Sequence, residues 1–305
     1  MTNWRDVLDE FLLIRRAEGL AERTLRDYRD HIPAFFKDAG DAWPDVKALR
    51  RAVLGHFEGL RGMSASYWNM RRKYLNAFFS WAVREGYLDD SPAKGIPKRK
   101  DEPQPRHVDT ETLRKLLQLP DKRSYVGVRD LALLTLSLDT GVRPIEAFSL
   151  LPGDVDLRAL EVRIPAANAK TRRERTLIIS PETARAIRRL LTVRPDTWRP
   201  SVPLFANQDG RPLNRNSWAK RLRLYSRKLG AAVSPYSLRH SHAILFLRQG
   251  GNLFALMREM GHSDLNTTRR YVNLDTADRH EQHRLASPLG AVLPPQRAPR
   301  KAGGR

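Results

Sequence analysis

Apolar positions in the first ninety residues recur every three or four, the period of helices with one buried face. Trp4, Val7, Leu8, Phe11 and Leu12 share one such face. Leu25, Tyr28, Ile32, Phe35 and Phe36 share a second, with Thr24 placed to cap that helix. A fainter third pattern covers roughly 46–60. A fourth runs from about Ser66 to Arg84, with Tyr67, Met70, Tyr74, Leu75, Phe78 and Ala82 inward and Gly86 as its stop. Pro92, Pro97, Pro103 and Pro105 then interrupt the pattern, and Lys98, Arg99 and Lys100 are consecutive charges, which reads as a basic linker over 96–107. Helical spacing resumes near Val108, with Asp109 or Thr110 as cap. A strongly apolar stretch over about 128–139 stops at Gly141, and Pro144 suits the first turn of a short helix. Only here does a period of two appear. Residues 160–164 and 175–179 read as strands joined by a polar turn that contains Lys170. Further helices are expected over about 181–193, 214–228, 237–249 and 252–260, with a short segment from Asn266. The expected fold is mainly α with a small antiparallel β-sheet. It divides into a helical domain at 1–95, a second domain at 108–286, and a Pro-, Arg- and Gly-rich tail at 287–305 expected to lack order unless a partner supplies it.

Composition narrows the function. Hydrophobic residues make up 41% of 305 residues, enough for two packed cores. No apolar run approaches the ~18 residues of a membrane span. The N-terminal Met-Thr-Asn-Trp-Arg-Asp lacks the apolar stretch of a signal peptide, so a cytoplasmic protein with no membrane partner is expected. With no cysteine, disulfides, thiolate nucleophiles and cysteine-ligated zinc are excluded. The net charge of +21 repels itself in a folded chain unless a polyanion neutralises it, and double-stranded DNA is the leading candidate. An anionic membrane surface ranks second, but no helix pairs a cationic face with an apolar one. There are 43 arginines against 12 lysines, a bias that suits bidentate phosphate contacts and that genome base composition also produces. Candidate DNA contacts are Arg71, Arg72 and Lys73 on the fourth helix, Lys98, Arg99 and Lys100 in the linker, and Arg215 and Lys220 on the 214–228 helix. Charged faces are most often simply solvated, and contacts of this kind give affinity without sequence choice. Two domains joined by a basic linker suggest a two-domain DNA clamp, although a solvated tether fits the linker equally well.

Breaking a phosphodiester without a metal requires cations around the phosphate, a nucleophile, and a proton for the departing oxygen. Few carboxylate clusters are present to hold magnesium, so a metal-dependent nuclease is poorly supported. Arg143, just after the apolar helix, and Arg239, in the first turns of another, stand at element boundaries where phosphate is readily bound. Taken singly, each of 43 arginines is more simply a surface charge. Lys170 is the only lysine between Lys122 and Lys220. Lysine can give up a proton where arginine hardly can, which suits a general acid; the plain alternative is a turn lysine in solvent.

Taken together, Thr140-Gly-Val-Arg143-Pro-Ile-Glu146, Leu238-Arg239-His240, Met260-Gly-His262 and Tyr271 resemble, in order and spacing, the motifs of the tyrosine recombinases of the phage-integrase and Xer group. The resemblance spans about 109–275, and the N-terminal helices are similar, less specifically, to that family's core-binding domain. It implies a site-specific recombinase that cuts and rejoins DNA through a 3′-phosphotyrosine at Tyr271, with no cofactor, metal or ATP, working as a homo-tetramer or with related recombinase subunits. Arg143 and Arg239 would hold the phosphate oxygens. His262 would contact the phosphate and assist the tyrosine, Lys170 would protonate the leaving 5′-oxygen, and Glu146 would support the arginine pocket. A packing role for Tyr271 and a helix-end role for His262 are the plain alternatives. One position departs from the family. Three residues before Arg239, where a histidine is usual, stands Tyr236. Its phenol can still hydrogen-bond a phosphate oxygen but is a poor proton carrier at neutral pH, and His240, one helical turn on, can partly compensate. The resemblance also leaves room for a non-catalytic DNA-binding relative and for a relaxing topoisomerase with the same chemistry. It further implies that the tail after Ser287 docks on a neighbouring subunit.

Overall fold

The computed structural model describes residues 3–101, 107–169, 173–261, Tyr271, 283–284, Ser287 and 289–292. The chain forms two compact units, residues 1–103 and 104–305. Expectations that fall on Lys170, His262, the segment from Asn266 and the tail beyond residue 292 lie outside the described residues.

The first unit is built from α1 (Trp4–Ala17), α2 (Glu22–Ala39), α3 (Val46–Gly59) and α4 (Ala65–Arg84). Their apolar stripes close on an aromatic core, in which Phe11 meets the edges of Tyr28, Phe78 and Trp81 at centroid distances of 4.9, 5.6 and 5.2 Å. Three details differ from the pattern reading. Thr24 does not cap α2: the helix begins earlier, at Glu22, and its N-cap Ala21 offers no side-chain bond. Tyr67 is exposed, because it sits in the first turn of α4, whose N-cap is Ser64, ahead of the buried stripe. Arg71, a candidate DNA contact, is 4% exposed. Its guanidinium lies 3.0 Å from His31 Nδ1 and 3.2 Å from His56 Nε2, so it is spent inside the core rather than offered to a phosphate. Burial, then the Arg71 charge, pushes the pKa of His56 down to about 4.

The linker reading also changes. Residues 96–100 carry no regular structure but are fastened to the first unit. Arg72 donates to the Ile96 carbonyl at 2.6 Å, the Trp68 indole to that of Pro97 at 3.0 Å, and the Asn69 amide to that of Arg99 at 2.9 Å. Arg99 lies 3.6 Å over the Trp68 ring. Thus Arg72 and Arg99, expected on DNA, serve as latches, while Lys73, Lys98 and Lys100 face outward. Every carbonyl latched in this way would otherwise need water, and this replaces a free tether with an ordered strap.

The second unit is organised around α6 (Tyr125–Thr140), flanked by α8 (Pro181–Thr192) and α10 (Pro235–Arg248). Being covered on several sides, α6 is apolar nearly all round, so the usual stripe is absent. The remaining helices are α5 (Thr110–Gln118), capped by Asp109, α7 (Pro144–Ser149), α9 (Arg215–Leu229) and α11 (Leu253–Met260). The sheet has an extra short strand: β1 (Val155–Asp156), β2 (Glu161–Ile164) and β3 (Arg175–Ile178) run antiparallel in that order. Two residues are too few to show alternation, which is why pattern reading misses β1. In the tail, Leu289–Val292 forms a helical turn where no order was expected, over an apolar Leu-Gly-Ala-Val run. Among the described residues, no helix is long and apolar enough to cross a membrane.

Helices α6 and α9 are joined through Asp130, whose carboxylate is fully buried. It accepts from Arg129 at 2.7 Å, Arg221 at 2.5 Å and the Tyr225 hydroxyl at 2.7 Å. Removing it strands one buried and one half-buried guanidinium. Asp130→Ala is therefore expected to destabilise the second unit by about 3–5 kcal/mol, read as a shift in urea midpoint at unchanged slope. A loss below about 1 kcal/mol would show that the network contributes little net stability.

Candidate active site

The site begins at the end of α6. Gly141 takes a left-handed conformation (φ 59°) that turns the chain, and a Cβ there would come within 2.5 Å of the His242 ring. Arg143 then occupies the N-cap of α7, with Pro144 at the first helical position. Its backbone N–H donates to Glu146 Oε2 at 3.3 Å and its Nη1 to Oε1 at 3.1 Å. On α10, the cap is a reciprocal pair: Ser237 N–H donates to Ser234 Oγ at 3.0 Å and Ser234 N–H to Ser237 Oγ at 2.8 Å. This fixes the first turn and directs Arg239 inward, where it is 4% exposed.

Three arginines from three elements meet the carboxy end of α11. Arg175 Nε donates to the Glu259 carbonyl at 3.1 Å, Arg239 Nη2 to Met260 at 2.8 Å, and Arg143 Nη2 to Gly261 at 2.7 Å. Arg239 also donates through Nη1 to the Gly141 carbonyl. The last carbonyls of a helix lack intrahelical partners and carry its negative end, so they suit guanidinium groups. Glu146, fully buried, supplies the carboxylate: Arg175 donates to it from Nη2 at 2.6 Å and Nη1 at 3.3 Å. Burial alone would raise the Glu146 pKa, but the hydrogen bonds and charges of Arg175, then Arg143, outweigh it and hold the carboxyl below its usual range. Arg239 pays for its position: desolvation, then the neighbouring Arg143 charge, pushes it down to about 10, still charged at neutral pH.

The Tyr271 ring is buried in a cluster with Ala243, Leu256 and Met260, from α10 and α11. Its hydroxyl lies 2.7 Å from His240 Nδ1. His240, expected to compensate in part for Tyr236, is a partner of Tyr271. Tyr236 is about half exposed, and the Arg215 guanidinium lies 5.3 Å over its ring. Lys220 is exposed on α9. Among the described residues no cluster of three or more histidine or carboxylate side chains is placed to hold a metal.

The structure thus brings Arg143, Glu146 and Arg239 together, and Tyr271 with His240. Arg175 was missed. Its signal was present: in β3, Arg175 lies two residues from the fully buried Leu177 and pairs with buried Ile164, which puts an arginine on the inward face of a strand.

Beneath Gly141, His242 donates from Nδ1 to the Leu138 carbonyl at 3.0 Å, leaving Nε2 without a hydrogen-bond partner among the described residues. Burial pushes its pKa down to about 4. The unfolded chain, with histidine near 6.5, takes up the proton first as pH falls. This stabilising contribution is therefore complete above about pH 6.5 and drains away toward pH 4, a loss of about 2 kcal/mol between pH 7.5 and 5. Urea midpoints across that range should fall with acid, and His242→Asn should flatten the slope.

The phage integrase family model matches residues 106–278. Tyrosine recombinase XerC of Vibrio vulnificus strain YJ016 is 32% identical over 292 residues, covering 91% of this chain and 90% of that protein. Tyrosine recombinase XerC of Xylella fastidiosa strain 9a5c is 31% identical, covering 89% and 92%. Among solved structures, the Tn1549 transposon integrase in complex with transposon right end DNA superposes with a TM-score of 0.74 at 18% identity, covering 94% of this chain and 100% of the integrase. XerH bound to palindromic difH substrate gives 0.71 at 21% identity, covering 92% and 83%.

Proposed function

The chain belongs to the phage integrase family of tyrosine site-specific recombinases, and we propose the following division of labour among its residues as it cuts and rejoins DNA. Arg143 and Arg239 bind the non-bridging oxygens of the scissile phosphate. The Tyr271 hydroxyl attacks phosphorus, its proton leaving through the His240 contact, and the bond to the 5′-oxygen breaks as the 3′-phosphotyrosine forms. Lys170 protonates the departing oxygen, and His262 contacts the phosphate. Glu146 holds the arginines. The phosphotyrosine conserves the bond energy, so rejoining needs neither ATP nor metal. The observation that carries this reading is the convergence of Arg143 and Arg239 on the end of α11, with the Tyr271 ring packed on Met260 of the same helix and its hydroxyl 2.7 Å from His240.

Four copies act on two duplexes in the cytoplasm, in integration and excision or in dimer resolution. The first unit serves as the core-binding domain, and the outward Lys73, Lys98, Lys100, Arg215 and Lys220 meet DNA phosphates. Affinity then falls steeply with salt.

A nicked duplex carrying a site selected from a random pool by this protein tests the reading. A covalent adduct mapping to the Tyr271 peptide is expected. Tight binding with no adduct would mean a non-catalytic DNA-binding protein, and relaxation of supercoiled DNA lacking the site would mean a topoisomerase. On the same substrate Tyr236→Phe, which removes only a hydroxyl, is expected to slow cleavage by about fivefold, the value of one hydrogen bond near 1 kcal/mol. An unchanged rate would make Tyr236 a platform for Arg215 alone.

A further inference from the structure

We propose that Arg175 is a positioning residue that neutralises Glu146 so that Arg143 is available to the DNA phosphate; this rests on the assignment of Arg143 above. All three nitrogens of the Arg175 guanidinium are committed inside the protein, two to the Glu146 carboxylate and one to the Glu259 carbonyl. Its side chain is only 10% exposed. It is therefore built to stay in place when DNA arrives. Arg143 is different. It holds Glu146 through one side-chain bond at 3.1 Å, longer than the 2.6 Å contact of Arg175.

The problem Arg175 solves is one of competing anions. Glu146 is fully buried and cannot be hydrated. A buried carboxylate needs a cation, and a guanidinium shared between a carboxylate and a phosphate binds each less well. With Arg175 present, the carboxylate keeps a two-point partner after Arg143 turns to the phosphate. Without it, Glu146 draws more strongly on Arg143, and the phosphate must compete with an intramolecular anion for that guanidinium. Arg175 also opens β3, and its bond to Glu259 ties that strand to the end of α11. The strand and the arginine pair are thereby held to one helix terminus.

The test uses the full chain and the selected nicked duplex, with the rate of Tyr271 adduct formation as readout. Arg175→Ala is expected to slow the reaction by about 100-fold, the scale of losing one preorganised charge contact. Combining it with Glu146→Gln, which removes the competing anion, should recover at least about tenfold. At a methylphosphonate, which lacks one anionic oxygen, the Arg175→Ala loss should shrink below about tenfold, because less depends on Arg143. A purely structural role would show neither the rescue nor the substrate dependence. Arg175→Ala within twofold of the parent, or a double variant as slow as the single one, overturns the proposal. If Arg175→Ala does not fold, Arg175→Lys decides: it keeps the countercharge and should retain cleavage within about tenfold, whereas a 100-fold loss overturns the charge argument. No adduct from the parent chain would instead count against the recombinase mechanism itself.

Discussion

Tyr271→Phe is expected to abolish the covalent adduct while leaving the fold nearly intact. The substitution keeps the ring, and the ring makes the apolar contacts with Ala243, Leu256 and Met260. What disappears is the oxygen bonded to His240 at 2.7 Å, a hydrogen bond worth about 1 kcal/mol of stability. Catalysis by contrast has no substitute for the missing nucleophile. The variant should bind the selected duplex with unchanged affinity, melt within a few degrees of the parent, and give no SDS-resistant DNA complex. Any adduct that remained would have to map to another side chain and would displace Tyr271 from its role.

Arg239→Met is expected to bring the second-largest loss, at least about 1000-fold in adduct formation, or about 4 kcal/mol of transition-state stabilisation. Arg239 is the more deeply buried of the two arginines assigned to the phosphate, and a charge in such surroundings acts more strongly than one in water. Stability should move much less. Methionine fills comparable space without the desolvation that holds Arg239 down near 10, although it leaves the Gly141 and Met260 carbonyls short of a donor. These effects oppose each other, so a change within about 2 kcal/mol by urea unfolding is expected. A variant that cleaves normally would remove Arg239 from the phosphate, and a variant that fails to fold would make the arginine structural first.

The two outcomes together separate roles that static geometry joins. In the free protein, before DNA is present, the Tyr271 hydroxyl is held 2.7 Å from His240, the residue that follows Arg239 on α10.

Much of this was legible in the chain itself. Helical and strand periods located the elements, because a half-buried surface imposes 3.6- or two-residue spacing whatever its partner is. Arg143 and Arg239 stand next to local signals, a left-handed glycine and a helix start, that sequence records directly, whereas Tyr271 was singled out only by the resemblance. The large positive charge pointed to a polyanion. Other features were decided only by tertiary structure. Arg71, Arg72 and Arg99 read as DNA contacts, yet they hold a core and a strap. A guanidinium reads the same in sequence whether it faces phosphate, a carbonyl or a histidine ring, and only the chain's path chooses among them. For Arg175 the period of two carries the signal of an inward face, but its partners lie on α7 and α11, far away in sequence. Local spacing reports which side of an element is buried; what waits there is set by packing between distant segments, and in this chain that packing brings Arg143 and Arg175 onto one buried carboxylate, that of Glu146.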